Sequence, residues 1–348
     1  MTGIKDVARE VEMSTATVSR ALRDLPGVSD ETRARVMEAA RRLGYVPSPS
    51  AAGLATGQTR TVAVVVPFVT QWFFAAVVQG AEEVLRERGY DLLLYNLAGD
   101  AAARHRLFET NLLSKRVDAV LVLSLKPSPQ ELVRLEHLER PVTVVGADLP
   151  GWATVRIDDE LAARTAVGHL LDLGHRRIGY VGGETVGALD YTAPTARLAG
   201  YRDSLAEAGI ALDPTLEVDG DFTVTGGMRA GRELLDRPER PQRPSAVFAA
   251  SDEMAIGVLR VAREIGLRVP EDLSVIGIDD HEMAEFFELT TVAQPVHEQG
   301  QLAATLLLEA LDDGLDGAAH PRAITVPTRL VVRRTTAPPP SAAAPRRT

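Results

Sequence analysis

The stretch IKDVAREVEMSTATVSRAL, residues 4–22, contains two short helical patterns separated by a tight turn. The apolar residues of the first pattern recur at the spacing of one helix face, and they are Ile4, Val7, Ala8 and Val11. Ser14 is a favourable N-cap for the second helix, because its hydroxyl can accept a bond from a free backbone N–H. Val18 and Leu22 are then predicted to face the first helix, whereas Thr15, Ala16, Ser19, Arg20 and Arg23 are predicted to point outward. Two helices joined in this way indicate a helix-turn-helix, which presents its second helix to the major groove of DNA.

A third helical pattern follows at residues 29–44. Ser29 is its predicted N-cap, acidic residues occupy the first turn, Arg41 and Arg42 the last turn, and Gly44 follows. This order complements the helix dipole and places glycine just beyond the helix end. Residues 1–47 are therefore predicted to form a three-helix head, which makes the alternative of an ordinary helical hairpin less favourable. The prolines and small residues of 48–59 indicate a hinge that contains a short helix.

Composition limits the classes of protein to which the chain can belong. Its 348 residues are 45% hydrophobic, which predicts two or three domains, and the lack of cysteine excludes disulfides and thiolate chemistry. No run reaches the roughly 18 apolar residues of a membrane span, and no apolar signal segment is present, so we expect a cytoplasmic protein without a membrane partner. Residues 1–59 carry eight Lys and Arg and seven Asp and Glu, a net charge of +1. Because the whole chain has a net charge of −10, the remaining residues carry −11. A slightly basic head on an acidic body orients the head towards a polyanion.

From residue 60 onward, β-branched runs alternate with helical patterns. Strands are predicted at 61–67, 90–96, 117–123 and 141–146 before the TVRID segment (154–158), and at 176–183, 245–251 and 273–279 after it. Helices are predicted at 73–89, 101–116, 129–139, 158–173, 195–209, 225–236 and 252–265, and a helix at 298–313 and a strand pair within 322–333 are predicted to cross back between lobes. This α/β alternation predicts parallel sheets covered on both faces, in two similar lobes. The low-complexity segment 335–348 is predicted to be a disordered tail.

Several motifs in this order resemble the LacI/GalR (lactose repressor) family of bacterial transcription regulators. They are IKDVA…STATVSRAL, VSDETRARVMEAARRLGYVP, LGHRRIGYVGG, ARLAGY, ASDEMAIGVL, VPEDLSVIGIDD and TTVAQP. The resemblance implies an N-terminal helix-turn-helix head, a hinge helix and a two-lobed domain like a periplasmic binding protein. We expect the N-terminal lobe at 60–157 plus 292–320 and the C-terminal lobe at 158–291 plus 321–334. The family's assemblies are dimers or tetramers, and a homodimer is expected here because the chain has no leucine-heptad tail.

The resemblance places candidate DNA contacts in the second helix and the hinge. They are Thr15, Ala16, Thr17, Ser19, Arg20 and Leu54. Arg20 can bond a guanine O6/N7 pair, and Leu54 matches a leucine that wedges into the minor groove and kinks the duplex.

The chain departs from the family pattern in the head and the hinge. Glu12 stands at a turn position usually held by Gly or Asn, so it must accept a strained backbone or a different turn. Gly3 replaces a Thr cap, so either Thr2 caps the first helix or its end frays. The hinge departs at Ser48, Ala52 and Gly53. These departures predict weaker DNA binding, or a hinge that depends more on its operator.

The resemblance also implies an effector cleft between the lobes at the carboxyl ends of the strands, where open α/β sheets bind ligands. The matching positions are Phe73, Phe74, Asp148, Arg197, Phe222, Ser251, Asp279 and Gln294. Carboxylates, an arginine fork and aromatic rings suit a polyhydroxylated ligand, so a sugar is expected, with a nucleoside or purine as the alternative. Asp252 also matches but is expected to cap the following helix, and at least one of the paired phenylalanines is expected to belong to the core.

No catalytic constellation, metal-ligand cluster or cofactor motif can be assembled from the sequence. His175 is interpreted as a structural hydrogen-bonding residue, and the glycine-rich segment 179–187, which lacks a G-x-G-x-x-G pattern, as a turn that lines the cleft. We therefore expect a ligand-responsive regulator that binds pseudo-palindromic double-stranded operator DNA, a repressor of carbohydrate-utilisation genes without enzymatic activity or cofactor. A carbohydrate-binding protein and a nucleotide-dependent α/β enzyme are the competing interpretations.

Overall fold

The structure, a computed structural model, describes residues 2–45, 58–109, 113, 116–147, 149, 151–183, 192–237, 243–313 and 322–340. Its contacts divide the chain into two compact units, Met1–Arg60 and Thr61–Thr348. Each unit has its own hydrophobic core. The predicted hinge helix falls in segment 46–57, which lies outside the described residues.

The first unit consists of helices that pack around a small core. They are α1 (Ile4–Glu10), α2 (Thr15–Leu22) and α3 (Asp30–Arg42). The buried core residues are Val7, Ala8, Val11, Val18, Ala21, Val36, Ala39 and Ala40. Ile4 and Leu22 are only partly buried at the edge of this core. The predicted three-helix head is confirmed, and the predicted apolar stripe of α1 faces its interior.

Side-chain caps fix where two of these helices begin. The Ser14 hydroxyl accepts a bond from the Thr17 N–H at 3.0 Å at the start of α2, as predicted. The Ser29 hydroxyl accepts one from the Thr32 N–H at 3.3 Å at the start of α3. Such caps satisfy backbone donors that have no partner within the helix.

The start and end of α1 show how the chain accommodates its departures from the family pattern. Thr2 is not the cap: Gly3 is the N-cap residue, and the Asp6 carboxylate accepts its N–H at 2.9 Å. Glu12, in the turn after α1, has φ of 56°, so it occupies the left-handed conformation that the sequence predicted as one option. For a residue with a side chain this conformation is strained.

The second unit contains two sheets with six described strands each. The first part of the chain forms β1 (Thr61–Val66), α4 (Trp72–Glu87), β2 (Asp91–Asn96), α5 (Ala101–Glu109), β3 (Ala119–Leu123), α6 (Pro129–Glu136), β4 (Val142–Val145) and β5 (Ala153–Arg156). The next part forms α7 (Asp159–Asp172), β6 (Ile178–Gly182), α8 (Ala193–Glu207), β7 (Glu217–Asp219), α9 (Val224–Leu235), β8 (Ala246–Ala249), α10 (Asp252–Glu264), β9 (Ser274–Asp279), α11 (Met283–Phe286) and β10 (Thr290–Ala293). The last part forms α12 (Val296–Asp313), β11 (Ala323–Thr325) and β12 (Arg329–Val331).

Strand order confirms the predicted parallel sheets. The first sheet has the order β11-β5-β4-β3-β1-β2 and is parallel throughout. The second has the order β12-β10-β9-β8-β6-β7 and is parallel except for β12, which runs antiparallel to β10. On β1, Val62 and Val64 belong to one core cluster while Ala63 and Val65 belong to another, so both faces are covered. This explains the uninterrupted apolar run that predicted the strand.

The chain passes between the two sheets three times, and the predicted lobe boundaries differ from the structure at the last two passages. β10 joins the second sheet, so a first-lobe segment that starts at 292 divides a strand. β11 pairs with β5 in the first sheet, and only β12 joins the second, although 321–334 was assigned as a whole to the second lobe. Strands of three or four residues carry too little pattern to indicate which sheet they join. For the same reason β7 and β10 were not predicted.

The predicted disordered tail begins too early. The Val275 N–H donates to the Thr335 carbonyl at 2.8 Å, and the Thr335 hydroxyl donates to the Val275 carbonyl at 2.7 Å. The Ala337 N–H donates to the Ser274 hydroxyl at 3.0 Å. Residues 335–337 are therefore bonded to β9 through backbone groups, which composition does not reveal. Residues 341–348 lie outside the described part of the chain.

Candidate functional site

The carboxyl ends of the strands of both sheets border one cavity of about 530 Å³. The residues that line it follow strands directly or lie in the first turn of the next helix. They are Phe68, Thr70, Gln71, Phe73, Phe74, Gly99, Ser124, Gly146, Ile157, Asp159, Gly183, Ala193, Pro194, Arg197, Asp221, Phe222, Thr223, Ser251, Glu253, Asp279, Gln294 and Gln299. Its volume lies in the range of about 300–1,000 Å³ that is usual for small-molecule sites.

Seven of the eight residues predicted for the effector cleft line this cavity. They are Phe73, Phe74, Arg197, Phe222, Ser251, Asp279 and Gln294. Asp148 lies outside the described residues. Gly183 also lines the cavity, as predicted for the glycine-rich segment after β6. The structure thus brings together residues that are up to 221 positions apart between Phe73 and Gln294.

Arg197, in the first turns of α8, is the centre of a polar network although it is only 5% exposed. Its Nε donates to Asp159 Oδ1 at 2.8 Å, and its Nη1 donates to the Ala250 carbonyl and lies 3.9 Å from Asp279 Oδ1. A buried guanidinium is costly unless it is paired, and here two carboxylates and a carbonyl compensate it. The charge of Arg197 is therefore compensated within the protein, while its Nη2 group has no bond to the described residues.

Asp279 ends β9 and is held from a second side by amide groups. The Gln294 Nε2 donates to Asp279 Oδ1 at 2.7 Å, and the Gln299 Nε2 donates to Gln294 Oε1 at 2.9 Å. Burial raises the pKa of Asp279 to about 6, although the nearby Arg197 guanidinium acts in the opposite direction. Its φ of 129° is unusual for a residue with a side chain.

Strained backbone is concentrated around the cavity. Ser124, Asp221, Phe222 and Asp279 all line it, and all four have positive φ. Such conformations persist only where the surroundings impose them, and they are common in ligand sites. At Gly183 a Cβ atom would lie 2.3 Å from the Phe222 ring, so glycine is what lets this ring border the cavity.

The two adjacent phenylalanines have different environments, as expected. Phe74 is buried and belongs to the main core cluster, whereas Phe73 is only partly buried and packs at its edge. Their ring centroids are 5.3 Å apart in an edge-to-face arrangement. Phe73 therefore has the greater freedom to stack on a ligand.

Asp252 does not cap α10. Ser251 is the N-cap, and its hydroxyl accepts a bond from the Met254 N–H at 3.3 Å. Asp252 is fully buried, and its carboxylate accepts bonds from the Thr291 hydroxyl at 2.7 Å and the His281 N–H at 2.9 Å. Burial, together with the negative charge of Asp279, raises the pKa of Asp252 well above its ordinary value. The Asp252 carboxylate therefore links the ends of β9 and β10 through these hydrogen bonds.

Asp159, Glu253 and Gln299 are among the polar residues of the cavity that sequence reasoning missed. Asp159 follows Asp158, which caps α7 by accepting the Leu161 N–H at 2.9 Å, and this leaves the second carboxylate free to bond Arg197. Glu253 lies in the first turn of α10, and Gln299 in the first turn of α12. The available signal was the same in each case: a polar side chain in the first helical turn after a buried strand.

The mouth of the cavity is crossed by contacts from the start of α4. The Gln71 Nε2 donates to the Asp221 carbonyl at 3.4 Å, and the Trp72 and His281 rings lie 4.6 Å apart. Burial and the charge of Asp279 raise the pKa of Glu253 to about 7, while the nearby Trp72 N–H acts in the opposite direction. The QWFF sequence at residues 71–74 therefore supplies contacts between the two sides of the cleft.

The first unit presents part of α2 to solvent. Thr15, Ala16 and Arg20 are exposed, and Thr17 and Ser19 are partly buried. Within the part of the chain that the structure covers, Arg20 has no ion-pair partner, whereas Arg33, Arg41 and Arg42 are paired with acidic residues. Arg23 was predicted to point outward, but it is partly buried and its Nε donates to the Ser19 carbonyl at 3.2 Å. Leu54 lies outside the described residues.

His175 has the structural role that the sequence predicted. It is buried, and its ring nitrogens contact the Ser245 hydroxyl at 2.8 Å, the Ser274 hydroxyl at 3.1 Å and the Ala337 carbonyl at 2.9 Å. Among the described residues no group of three or more His, Asp or Glu side chains is placed to hold a metal ion. Over the same residues, no helix has the length and apolar character needed to cross a membrane.

Comparison with known proteins agrees with this architecture. Residues 3–48 match the family of bacterial regulatory proteins of the lacI type, and residues 167–336 match a periplasmic binding protein-like domain. The HTH-type transcriptional repressor CytR of Escherichia coli (strain K12) is 38% identical over 316 residues, which are 88% of this chain and 89% of CytR.

Two solved structures extend the comparison to three dimensions. The complex of the transcriptional regulator CelR with cellobiose is 35% identical, with a TM-score of 0.69 over 96% of this chain and 100% of CelR. The lac repressor dimer bound to operator and the anti-inducer ONPF is 27% identical, with a TM-score of 0.82 over 97% of this chain and 99% of that one.

A helix-turn-helix head joined to a two-sheet domain with a cavity between the sheets defines a ligand-responsive, DNA-binding transcription regulator. The chain belongs to the LacI family of bacterial regulatory proteins.

Proposed function

We propose that this protein is a homodimeric repressor whose α2 helices bind a pseudo-palindromic operator and whose cavity binds a small polyhydroxylated effector that changes operator affinity. The proposal rests on one observation: carboxylates, an arginine and aromatic rings from both sheets line the same cavity. Ligands that close a two-lobed domain differ in affinity for its states, and about 2.7 kcal/mol of difference changes operator affinity 100-fold.

In this proposal Thr15, Ala16, Thr17, Ser19 and Arg20 contact DNA, and Leu54 contacts the minor groove. Arg20 is the principal base-reading residue, since it is exposed and unpaired within the described residues and a guanidinium can bond guanine in two places. We place the protein in the cytoplasm because its operator would lie there. We assign it no enzymatic activity and no cofactor.

The effector contacts in this proposal are the cavity residues Phe73, Phe74, Arg197, Phe222, Ser251, Asp279 and Gln294, together with Asp148. Asp279 accepts hydroxyl hydrogen bonds, and Phe73 and Phe222 stack on the ligand's apolar face. A sugar is the first candidate, and CelR, which binds cellobiose, supports it. The aromatic lining equally suits the base of a nucleoside, which is the second candidate.

We propose a head at 1–47, a hinge at 48–59 and two lobes from residue 60 onward. With the sheet order of the structure, the first lobe takes β1–β5, α12 and β11, and the second takes β6–β10 and β12. Dimer formation is supported by the lac repressor, which is a dimer on its operator.

Operator binding with and without candidate effectors tests the proposal. An operator would be selected from random double-stranded DNA with the full-length protein, and binding followed by fluorescence anisotropy while sugars and nucleosides are added. We expect saturable binding to a two-fold symmetric site and a change of at least about tenfold with one compound class. Failure to select any symmetric site would contradict the DNA-binding part, and a selected site that responds to no compound would contradict the effector part.

A further inference from the structure

The polar wall of the cavity is strongly unbalanced in charge. Four carboxylates line it, those of Asp159, Asp221, Glu253 and Asp279, while Arg197 is the only cationic residue among the described residues of the lining. Asp221 is paired with Arg229 at 2.9 Å, so it can be set aside. When all groups are ionised, three carboxylates then face one guanidinium.

The Arg197 guanidinium already has carboxylate partners in the cavity wall. Its Nε bonds Asp159 and its Nη1 bonds the Ala250 carbonyl, with Asp279 3.9 Å away. A phosphate that approached this guanidinium would have to displace a buried carboxylate or lie beside two of them. Like charges at such separations repel strongly where water is excluded.

Glu253 adds a carboxylate that forms no ion pair with the described residues. It is partly buried and lines the cavity. Burial and the charge of Asp279 raise the pKa of Glu253 to about 7.

Hydrogen-bonding capacity has the same bias. Gln294 directs an amide donor at Asp279, Gln299 directs one at Gln294, and the Ser251 hydroxyl accepts from the Met254 N–H. The acceptors that remain, on the carboxylates of Asp159, Glu253 and Asp279, need donors from the ligand. Hydroxyl groups supply such donors, whereas an ionised phosphate is an acceptor only.

We infer that the cavity selects an uncharged effector rich in hydroxyl donors and excludes the phosphorylated form of the same molecule, with Glu253 as a specificity-determining residue. This inference rests on the proposed function, since it concerns the ligand of the same cavity. It separates neutral sugars and nucleosides from sugar phosphates and nucleotides.

Matched pairs of compounds test this charge selection. Isothermal titration of the full-length protein would use glucose and glucose 6-phosphate, ribose and ribose 5-phosphate, trehalose and trehalose 6-phosphate, and adenosine and AMP. We expect the neutral member of a binding pair to bind at least about 100-fold more tightly than its phosphorylated partner. A phosphorylated compound that binds as tightly as its neutral partner overturns the inference while leaving the proposed effector site intact.

Glu253→Gln tests whether the carboxylate is responsible. The amide keeps the shape and the acceptor for the Trp72 N–H but removes the charge, so the ratio of neutral to phosphorylated affinity should fall about tenfold. An unchanged ratio overturns the role of Glu253.

If no compound of the panel binds, a measurement of thermal stability without ligand still tests the inference. Because the folded protein holds an uncompensated carboxylate, E253Q should raise the melting temperature by about 2–4 °C at pH 8 and leave it unchanged at pH 5, where Glu253 is protonated. The control is Glu264→Gln on the same helix, where Arg260 and Arg232 pair with the carboxylate and no rise is expected. If E253Q fails to raise the melting temperature at pH 8, the carboxylate is compensated and the inference is wrong.

Discussion

The two candidate binding surfaces differ in how far apart their residues lie in the sequence. The proposed DNA-reading face lies within one helix, α2 (Thr15–Leu22), where the candidate contacts are exposed or partly buried and Val18 and Ala21 face the core. The cavity comes from strand ends of two sheets, and its polar residues are mostly buried and bonded to one another. Substitutions on the α2 surface should act independently of one another. A substitution in the cavity should also affect the residues that are bonded to the one replaced. Variants of the two surfaces should therefore fail in different ways.

Arg197→Ala should have the largest effect. It removes the cation that compensates Asp159 and Asp279, and breaking a buried pair costs about 3–5 kcal/mol of unfolding free energy. Chemical denaturation measures this loss. The control on the same helix is Arg202→Ala, whose pair with Glu217 is partly exposed and should contribute at most about 1 kcal/mol. Equal losses in the two variants would mean that the cavity is no more coupled than the surface.

Arg20→Ala should leave the fold intact and reduce preference for the operator over random DNA by about 1–3 kcal/mol. Nonspecific, salt-dependent binding should be largely retained, because the side chain reads bases in our proposal. Anisotropy titrations on operator and scrambled DNA at several salt concentrations measure both. Arg41→Ala, whose side chain is exposed and paired with Glu38, is the control and should keep the preference. Unchanged preference in R20A would remove Arg20 from the base-reading position.

Asp279→Asn should abolish the response to effector while leaving DNA binding unchanged. It should also flatten the pH dependence of stability. The folded-state pKa of about 6 exceeds the ordinary 3.8, so the folded protein holds a proton that the unfolded chain loses, and wild-type stability falls as pH rises through this window. Removing this term should reduce the fall in unfolding free energy across the window by about 3 kcal/mol. Asparagine tolerates positive φ, which limits backbone effects.

Melting curves between pH 4 and 7 check this prediction, with the exposed Asp172→Asn as the control. Since Asp252 and Glu253 also have raised pKa values, part of the slope should persist in D279N. A slope identical to that of the wild type, or induction that survives, would show that Asp279 does not belong to the effector network.

Ser14→Ala should have the smallest effect. Loss of the bond to the Thr17 N–H destabilises the start of α2 by about 1 kcal/mol. Hydrogen exchange of the α2 amides in the full chain should accelerate about fivefold, with exchange in β1 unchanged. Ser14→Asp, which also caps helices, should restore the wild-type rate. Failure of aspartate to restore it would indicate that the serine acts through packing and not through its cap.

Local rules were sufficient for the head because each signal acts over three or four residues. Ser14 and Ser29 were recognised as caps, and Val7, Ala8 and Val11 as a buried face, from spacing alone. The same local rules failed at two positions, where a side chain has a partner that spacing and capping do not predict. Arg23 bonds the backbone of its own helix, and Asp6 substitutes for a missing cap.

In the cavity, the resemblance to a family supplied seven of the lining residues, and the structure supplied the contacts between them. Asp252 was expected to cap a helix, but the distance to Thr291 and His281 shows that it joins strand ends. Asp159 and Glu253 gave only a weak signal, since polar residues in first helical turns are common. Their importance arises from Arg197 and Asp279, which reach them from other parts of the chain.

The sequence by itself determined the alternation of strands and helices, the three-helix head and the residue types available at the strand ends. Apolar periodicity and capping are local, so they can be read without coordinates. Tertiary structure decided which sheet the short strands β10, β11 and β12 join, that residues 335–337 bond to β9, and which carboxylates share a single guanidinium. Those outcomes depend on backbone pairing and on contacts between charged groups that are far apart in the sequence, and neither is encoded in any local pattern.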